Sequence, residues 1–243
     1  ASSARFWRGT VATEPVKRPV KTLQLFEFEA CPYCRFVREA LTELDLDVDI
    51  FPCPKGGQRY RPEAMGLGGK EQFPLLIDPN TDTVLLESAA IIGYLYGEYG
   101  GGSEPLWKAL TRDQLTSSLA TATRALKGMK VRPSNAVEWN EEQPIELFSF
   151  ESSPYSRKVR ELLCELEIPY RLRNTGKVVL REIGPPWVRS KFFPNVPVLG
   201  PKRRELQERG GKLQVPYLVD PNTDTAMYES EAICEYLLAE YGA

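Results

Sequence analysis

The chain has 243 residues, enough for two modest domains each with its own core, and its 42% hydrophobic and 26% charged residues are ordinary for a soluble globular protein. Its 31 basic and 33 acidic residues are mixed along the chain, which excludes the electrostatic footprint of a nucleic-acid binder, and no apolar run approaches the roughly 20 residues a membrane span needs. Histidine is absent, which removes the usual general base and the commonest zinc ligand, and five scattered cysteines exclude a secreted disulfide framework and fit a reducing compartment.

Residues 1–20 read as a flexible N-terminal segment. Ala1 to Thr13 is basic, contains Ser and lacks acidic residues, as the tail of an organellar transit peptide does, and the alternative is simply where the chain starts. A domain over 21–102 follows. Leu23 to Phe28 is a short apolar strand, and Tyr33 to Leu44 has helical spacing through Phe36, Val37, Ala40, Leu41 and Leu44. A strand at Val48 to Phe51 comes next, then a looser Gly-rich segment ending at Gln72. Pro74 to Ile77 and Thr83 to Leu86 make a hairpin around Asp78-Pro79-Asn80, and Ser88 caps a last helix that runs to Tyr99 and stops at Gly100.

The same order, β-α-β-α-β-β-α, is then written again. LQLFEFEACPYCRFVREALTELDL from Leu23 pairs with IELFSFESSPYSRKVRELLCELEI from Ile145, and QFPLLIDPNTDTVLLESAAIIGYLYGEYG from Gln72 with QVPYLVDPNTDTAMYESEAICEYLLAEYG from Gln214. The second copy, 143–243, is 20 residues longer between these blocks, and the extra length at Asn174 to Pro201 reads as a surface loop. Between the copies, 103–142 reads as a helical linker whose stripe of Leu106, Leu110, Leu115, Leu119, Ala122, Leu126 and Met129 packs on one or both domains, the alternative being a partner-binding helix. The fold class is therefore α/β, two tandem domains with mixed four-stranded sheets and a right-handed β-α-β start in each.

Chemistry concentrates in Cys31-Pro32-Tyr33-Cys34. A Cys at the first turn of a helix has its anion favoured by the exposed backbone N–H groups and the helix dipole, so Cys31 needs no histidine, and Cys34 lies one turn along to resolve a mixed disulfide. Pro32 suits the first helical position, and Arg35 and Arg38 add positive charge. The plain alternatives are half a zinc site or a chance pair, but Cys53, Cys164 and Cys234 form no second pair to complete a zinc site, and no metal is expected. Cys164 and Cys234 fall on apolar helical faces as inert thiols, whereas Cys53 in its loop is a candidate third redox thiol. In the second copy Ser153-Pro154-Tyr155-Ser156 has lost both thiols, which excludes redox catalysis there.

A strand running into Cys-Pro-Tyr-Cys at a helix start, an X-Pro before a hairpin and Glu-Ser opening the last helix resemble the thioredoxin-like superfamily. More closely, the pattern resembles the N-terminal domain of glutathione transferases with a glutaredoxin-like motif, a combination also found in the prostaglandin E synthase type 2 frame. The resemblance implies that Pro74 and Pro216 are cis, and that Phe73 and Val215 ahead of them offer their backbone to glutathione or a peptide. It further implies that Tyr33 lines the glutathione site and that Glu87-Ser88, matched by Glu229-Ser230, holds the γ-glutamyl end at a helix N-terminus. An ordinary trans proline and a plain helix cap are the alternatives for these two elements. An all-helical second domain, usual in transferases, is replaced by a second copy. Tandem arrangements of this kind are similar to those of plastid proteins, which points to the chloroplast, with the cytoplasm as the alternative.

Three readings follow: a glutathione-linked thiol-disulfide oxidoreductase of glutaredoxin type, with glutathione as co-substrate and protein disulfides as partners; a tandem module that binds glutathione or a protein and senses redox state; and, with least support, a transferase or iron-sulfur carrier.

Overall fold

The structure, a computed structural model, describes residues 8–105, 126–178 and 198–243. The first copy is β1 (Leu23–Glu27), α1 (Pro32–Glu43), β2 (Val48–Pro52), α2 (Arg61–Gly68), β3 (Leu75–Asp78), β4 (Thr83–Leu86) and α3 (Ser88–Glu98). The second is β5 (Glu146–Ser149), α4 (Pro154–Glu165), β6 (Tyr170–Asn174), α5 (Pro201–Gly210), β7 (Tyr217–Asp220), β8 (Thr225–Tyr228) and α6 (Ser230–Tyr241). The expected order is thus realised twice. Most of the predicted linker stripe, and the centre of the predicted loop in the second copy, lie outside the described residues.

Each copy pairs its strands in the same way. β1 runs parallel to β2 and antiparallel to β3, which closes the hairpin with β4, and β5 to β8 repeat this. The two quartets join through β2 and β6 into one eight-stranded sheet, with order β4-β3-β1-β2-β6-β5-β7-β8. At the seam Asp49 stands opposite Arg171, flanked by Val48 opposite Leu172 and Ile50 opposite Tyr170. Asp49 and Arg171 are the same position in the two copies, so the seam is a pseudo-twofold axis of the kind that relates subunits in a symmetric dimer. Arg171 Nε donates to Asp49 Oδ1 at 2.7 Å, pairing the charges that lie on the axis. Joining two edge strands also removes two rows of unpaired backbone groups from solvent. The main apolar cluster runs through both copies, from Leu23, Leu25 and Leu41 to Leu147, Leu163 and Leu172, so the core is shared.

The hairpin turns explain how the last helices dock. Asp78 Oδ1 accepts the Asn80 backbone N–H at 2.8 Å, while Oδ2 accepts the hydroxyls of Tyr94, at 2.6 Å, and Tyr99, both from α3 or its end. Asp220 repeats this with Asn222, Tyr236 and Tyr241. One aspartate therefore shapes a turn and anchors a helix.

The segment 1–20, expected to be flexible, contains a tied-down strap. The Ser152 N–H donates to Gly9 O at 3.1 Å, Ala12 N–H to Lys177 O at 2.8 Å, and Arg8, Thr10 and Ala12 are buried. The end of the expected helical linker makes the matching strap. Residues 126–131 form a turn and an extended stretch in which Gly128 O accepts the Ala30 N–H at 3.3 Å and Val131 N–H donates to Lys55 O at 3.1 Å. Each strap precedes one copy in the chain and crosses the loop ahead of α1 or α4 in the other. Backbone groups in these loops need partners once buried, and the straps supply them.

Candidate functional site

Strand β1 delivers the chain to a short loop whose last residue, Cys31, is the N-cap of α1, with Pro32 at the first helical position. Cys31 has an extended backbone, and its Sγ accepts the Cys34 backbone N–H at 3.3 Å, the role an N-cap oxygen usually plays. Both thiols are free. The Cys34 thiol hydrogen bond, the backbone N–H groups of Cys34 and Tyr33, and the charge of Arg38 outweigh burial and hold the Cys31 thiol below its ordinary value. Burial and the neighbouring Cys31 push Cys34 well above its own. The pair is therefore polarised, with the sulfur at the helix N-terminus as the better nucleophile. Cys31 is only 4% exposed, while Tyr33 beside it is 42% exposed.

Arg35 and Arg38, expected to add nearby charge, belong to a buried layer between the copies. Arg38 Nη1 donates to Glu27, Nη2 to the Glu29 carbonyl at 3.3 Å, and Nε to Glu151 of the second copy at 2.9 Å. The equivalent Arg160 donates through Nε and Nη2 to Glu29 at 3.1 Å each and through Nη1 to Ser149 Oγ at 3.0 Å. Glu27 thus has no acidic counterpart, and an extra carboxyl lies under the thiol-bearing loop. Burial, with further contributions from Glu29, Cys31 and Glu151, pushes Glu27 up to about 8 despite Arg38. Glu151, facing Arg160, Arg38 and Arg35, is held down at about 2 although buried.

The Phe73-Pro74 and Val215-Pro216 bonds are both cis, so the alternative of ordinary trans prolines does not hold. Phe73 packs edge-on against Phe28, with ring centroids 6.1 Å apart, and the Arg61 guanidinium lies 4.9 Å from its centroid. Arg61 is fixed by its own bonds to the carbonyls of Cys53, at 3.1 Å, and Pro54, at 2.8 Å. At the start of α3 the expected serine cap is replaced. Glu87 is the N-cap, at φ +72°, no side chain caps the first turn, and Ser88 is the first helical residue. The physical reason is that this φ turns Glu87 away from the extended conformation from which an N-cap side chain folds back. Glu229 at φ +72° and Ser230 repeat the arrangement. Glu87 is exposed and its carboxylate accepts from Gln72 Nε2.

In the second copy Ser153 takes the place of Cys31: its Oγ accepts the Ser156 N–H at 3.2 Å and the Ser156 hydroxyl at 2.9 Å. The loop geometry survives without the thiols. Cys53, expected as a third redox thiol, is fully buried, its N–H bound to Glu27 O at 2.7 Å and its thiol pushed far up by desolvation. Cys164 is buried and accepts the Glu29 N–H at 3.4 Å, as Thr42 Oγ1 accepts the Glu151 N–H at 3.2 Å in the mirror position. It serves as a substitute hydroxyl. Glu27, Arg61 and the cross-copy acids were missed from sequence, although Glu27 facing Ser149 in the repeat was a visible signal.

Among the described residues no helix is long and apolar enough to cross a membrane, and no group of His, Cys, Asp and Glu is placed to hold a metal. No curated protein matches the chain. Among solved structures, a glutathione transferase of Bombyx mori is 27% identical, with a TM-score of 0.31, over 34% of this chain and 38% of that one. The chain therefore spans well under half of that relative. A trimeric glutathione transferase of Leishmania is 14% identical, with a TM-score of 0.29, over 91% of this chain and 67% of that one. The family model for the glutathione S-transferase N-terminal domain matches twice, at residues 25–103 and 147–243, which are the two copies seen in the sheet. With most of its length covered by these matches, the chain belongs to the glutathione S-transferase N-terminal domain family and carries that domain in tandem.

Proposed function

We propose that the first copy is a glutathione-linked thiol-disulfide oxidoreductase of glutaredoxin type. The observation that carries the reading is the polarised pair, with Cys31 Sγ at the helix N-cap accepting the Cys34 N–H while the Cys34 thiol is held protonated. The Cys31 thiolate attacks one sulfur of a disulfide, forming a mixed disulfide and releasing the other sulfur as a thiolate, which takes up a proton. Cys34, once deprotonated, displaces the bound sulfur and leaves Cys31–Cys34 oxidised. Two glutathione thiols then restore the pair and leave as glutathione disulfide, so two electrons pass from glutathione to substrate. Phe73, Pro74 and Tyr33 would lie along the cysteinyl part of glutathione. Glu87 and Ser88, at an α3 N-terminus that no side chain caps, would take its γ-glutamyl end.

Disulfide reduction by glutathione, compared between wild type and Cys31→Ser, tests this. The reading expects loss of nearly all activity in the variant, and equal, negligible rates in both would sink it.

The second reading, a binding module, is favoured by one observation: cis Pro216 and the Glu229-Ser230 turn persist in a copy without thiols. It expects glutathione or a peptide to bind the Cys31→Ser, Cys34→Ser chain with unchanged affinity. Placement in the plastid rests on the likeness of the tandem arrangement to plastid proteins, and a fluorescent fusion of the full-length protein tests it.

A further inference from the structure

We infer that the second copy completes the thiol site of the first: Glu151, in the loop ahead of α4, is a positioning residue that holds Arg38 on the turn of α1 below Cys34. The inference rests on the oxidoreductase reading for its functional meaning and on the buried geometry for everything else.

Arg38 is 1% exposed, and a cation so buried needs fixed partners on every face. Its own copy supplies Glu27 on Nη1 and Glu29 on Nη2, through the carbonyl and the carboxylate, both at 3.3 Å. The Nε face has Glu151 at 2.9 Å, which comes from the other copy. Glu151 is itself held rigidly. Arg160 Nη2 lies 3.0 Å from it, Arg35 Nε lies 3.6 Å from it, and its backbone N–H is bound by Thr42.

Further ionisable groups face this cluster from every element around it: Glu39 on α1, 3.3 Å from Arg35 and 3.7 Å from Arg8 of the strap, Glu161 on α4, 3.1 Å from Arg157, and the buried Tyr170 of β6. From α4 come Arg157, 3.8 Å from Glu29, and the buried Cys164. From the end of β2 comes the buried Cys53. Arg38 thus divides its field between one acid of the second copy and the two acids and thiols of the first.

The mirror position shows what is particular to the thiol side. Arg160 makes the same reciprocal pair with Glu29, but its Nη1 ends on the neutral Ser149 hydroxyl. Arg160 thus faces two carboxyls, Glu29 and Glu151, and only in the copy with cysteines does the arginine face a third, Glu27. Neutralising Glu151 leaves more of the Arg38 charge uncompensated, and the Glu27 carboxylate and the Cys31 thiolate are the groups that gain.

The test is the pH dependence of Cys31 alkylation by iodoacetamide in the reduced full chain, with the labelled site read by mass spectrometry. Glu151→Gln keeps the shape of the side chain and should lower the midpoint by about half a unit or more, roughly a threefold gain in thiolate on the acid side. Glu161→Gln is the control. It removes a carboxylate of the same layer that pairs with Arg157 at 3.1 Å, and should leave the midpoint at the wild-type value. A Glu151→Gln midpoint within 0.2 unit of wild type, on roughly the precision such titrations allow, or equal shifts in both variants, overturns the inference.

If Glu151→Gln fails to fold, Arg38→Gln combined with Glu151→Gln leaves no unpaired buried cation, and its midpoint should lie above wild type. A midpoint at or below wild type in that chain overturns the inference as well. Because alkylation needs no disulfide substrate, a shifted midpoint in a chain that reduces nothing defeats the oxidoreductase reading alone. Turnover with an unshifted midpoint defeats this inference alone.

Discussion

Glu29 and Glu151 occupy the same position in the two copies, and each is bound by the arginine of the other: Arg160 reaches Glu29 at 3.1 Å and Arg38 reaches Glu151 at 2.9 Å. The exchange is reciprocal, as in the interface of a twofold dimer, but it lies inside one chain. All four side chains are 1% exposed.

Truncating one member of a buried ion pair leaves an uncompensated charge, which costs about 3 to 5 kcal/mol. Arg160→Ala removes the two shortest bonds to Glu29, leaving it only Arg38 and Arg157 at longer range, and weakens the hold on Glu151, so it should destabilise the whole chain by an amount toward the lower end of that range. Urea unfolding followed by tryptophan fluorescence and by circular dichroism should give one coincident transition, shifted to lower urea. Two separate transitions, one unmoved by the substitution, would show that the copies fold independently and that the shared core is not cooperative.

Glu27 gives the stability a distinctive pH dependence. Its ordinary value is 4.5 and its folded value is about 8, so the folded chain keeps a proton there that the unfolded chain releases. A raised value contributes stability that is complete below about 4.5 and declines as pH rises to 8, by at most about 1.4 kcal/mol per unit. Glu27→Gln cannot release a proton. Its stability relative to wild type should therefore climb between pH 5 and 8, as read from urea midpoints at each pH. A constant difference across that window would mean that Arg38 keeps Glu27 ionised throughout.

The two straps depend on glycine. Gly9 and Gly128 sit at φ +66° and +77°, and a Cβ on either would lie 2.7 Å from Glu151 Cβ or 2.8 Å from Glu29 Cβ. Both the conformation and the contact exclude a side chain. Gly128→Val should cost about 1 to 3 kcal/mol and speed hydrogen exchange at the Ala30 amide, which the strap carbonyl binds. Gly9→Val should do the same at Ser152. Unchanged exchange at both amides would show that the straps are dispensable.

The repeat made much of this architecture legible. The Asp-Pro-Asn turn, the X-Pro before it and the cysteine at a helix start each have a local mechanism, and each is where the sequence placed it. The junction was hidden because its signal is not local. Arg35, Arg38, Glu39 and Glu43 fall on one face of α1, and helical periodicity alone cannot tell a solvated charged face from one paired with the same residues of a second copy. β2 carried a faint sign in Asp49, a charge inside an apolar strand, whose partner Arg171 is far away in sequence. The straps rest on little more than one glycine apiece, too short a match for the repeat to reveal. The cap at Ser88 failed for a different reason, since residue preference favours Ser but backbone conformation at Glu87 decides the cap.

The five cysteines should separate cleanly by reactivity. Cys31 combines a lowered thiol with a helix N-terminus, so brief treatment of the folded, reduced chain with iodoacetamide near pH 7 should label it first. Cys234 is partly exposed, but burial still pushes its thiol up to about 11, and it should follow slowly. Cys34, Cys53 and Cys164 are buried with raised thiols, chiefly through desolvation, and should react only after denaturant is added. Peptide mapping after timed quenching reads this order directly. Early labelling of Cys53 would overturn the assignment of that thiol as structural, because a residue with no exposed surface and a carboxyl-rich neighbourhood has neither the access nor the thiolate that alkylation requires.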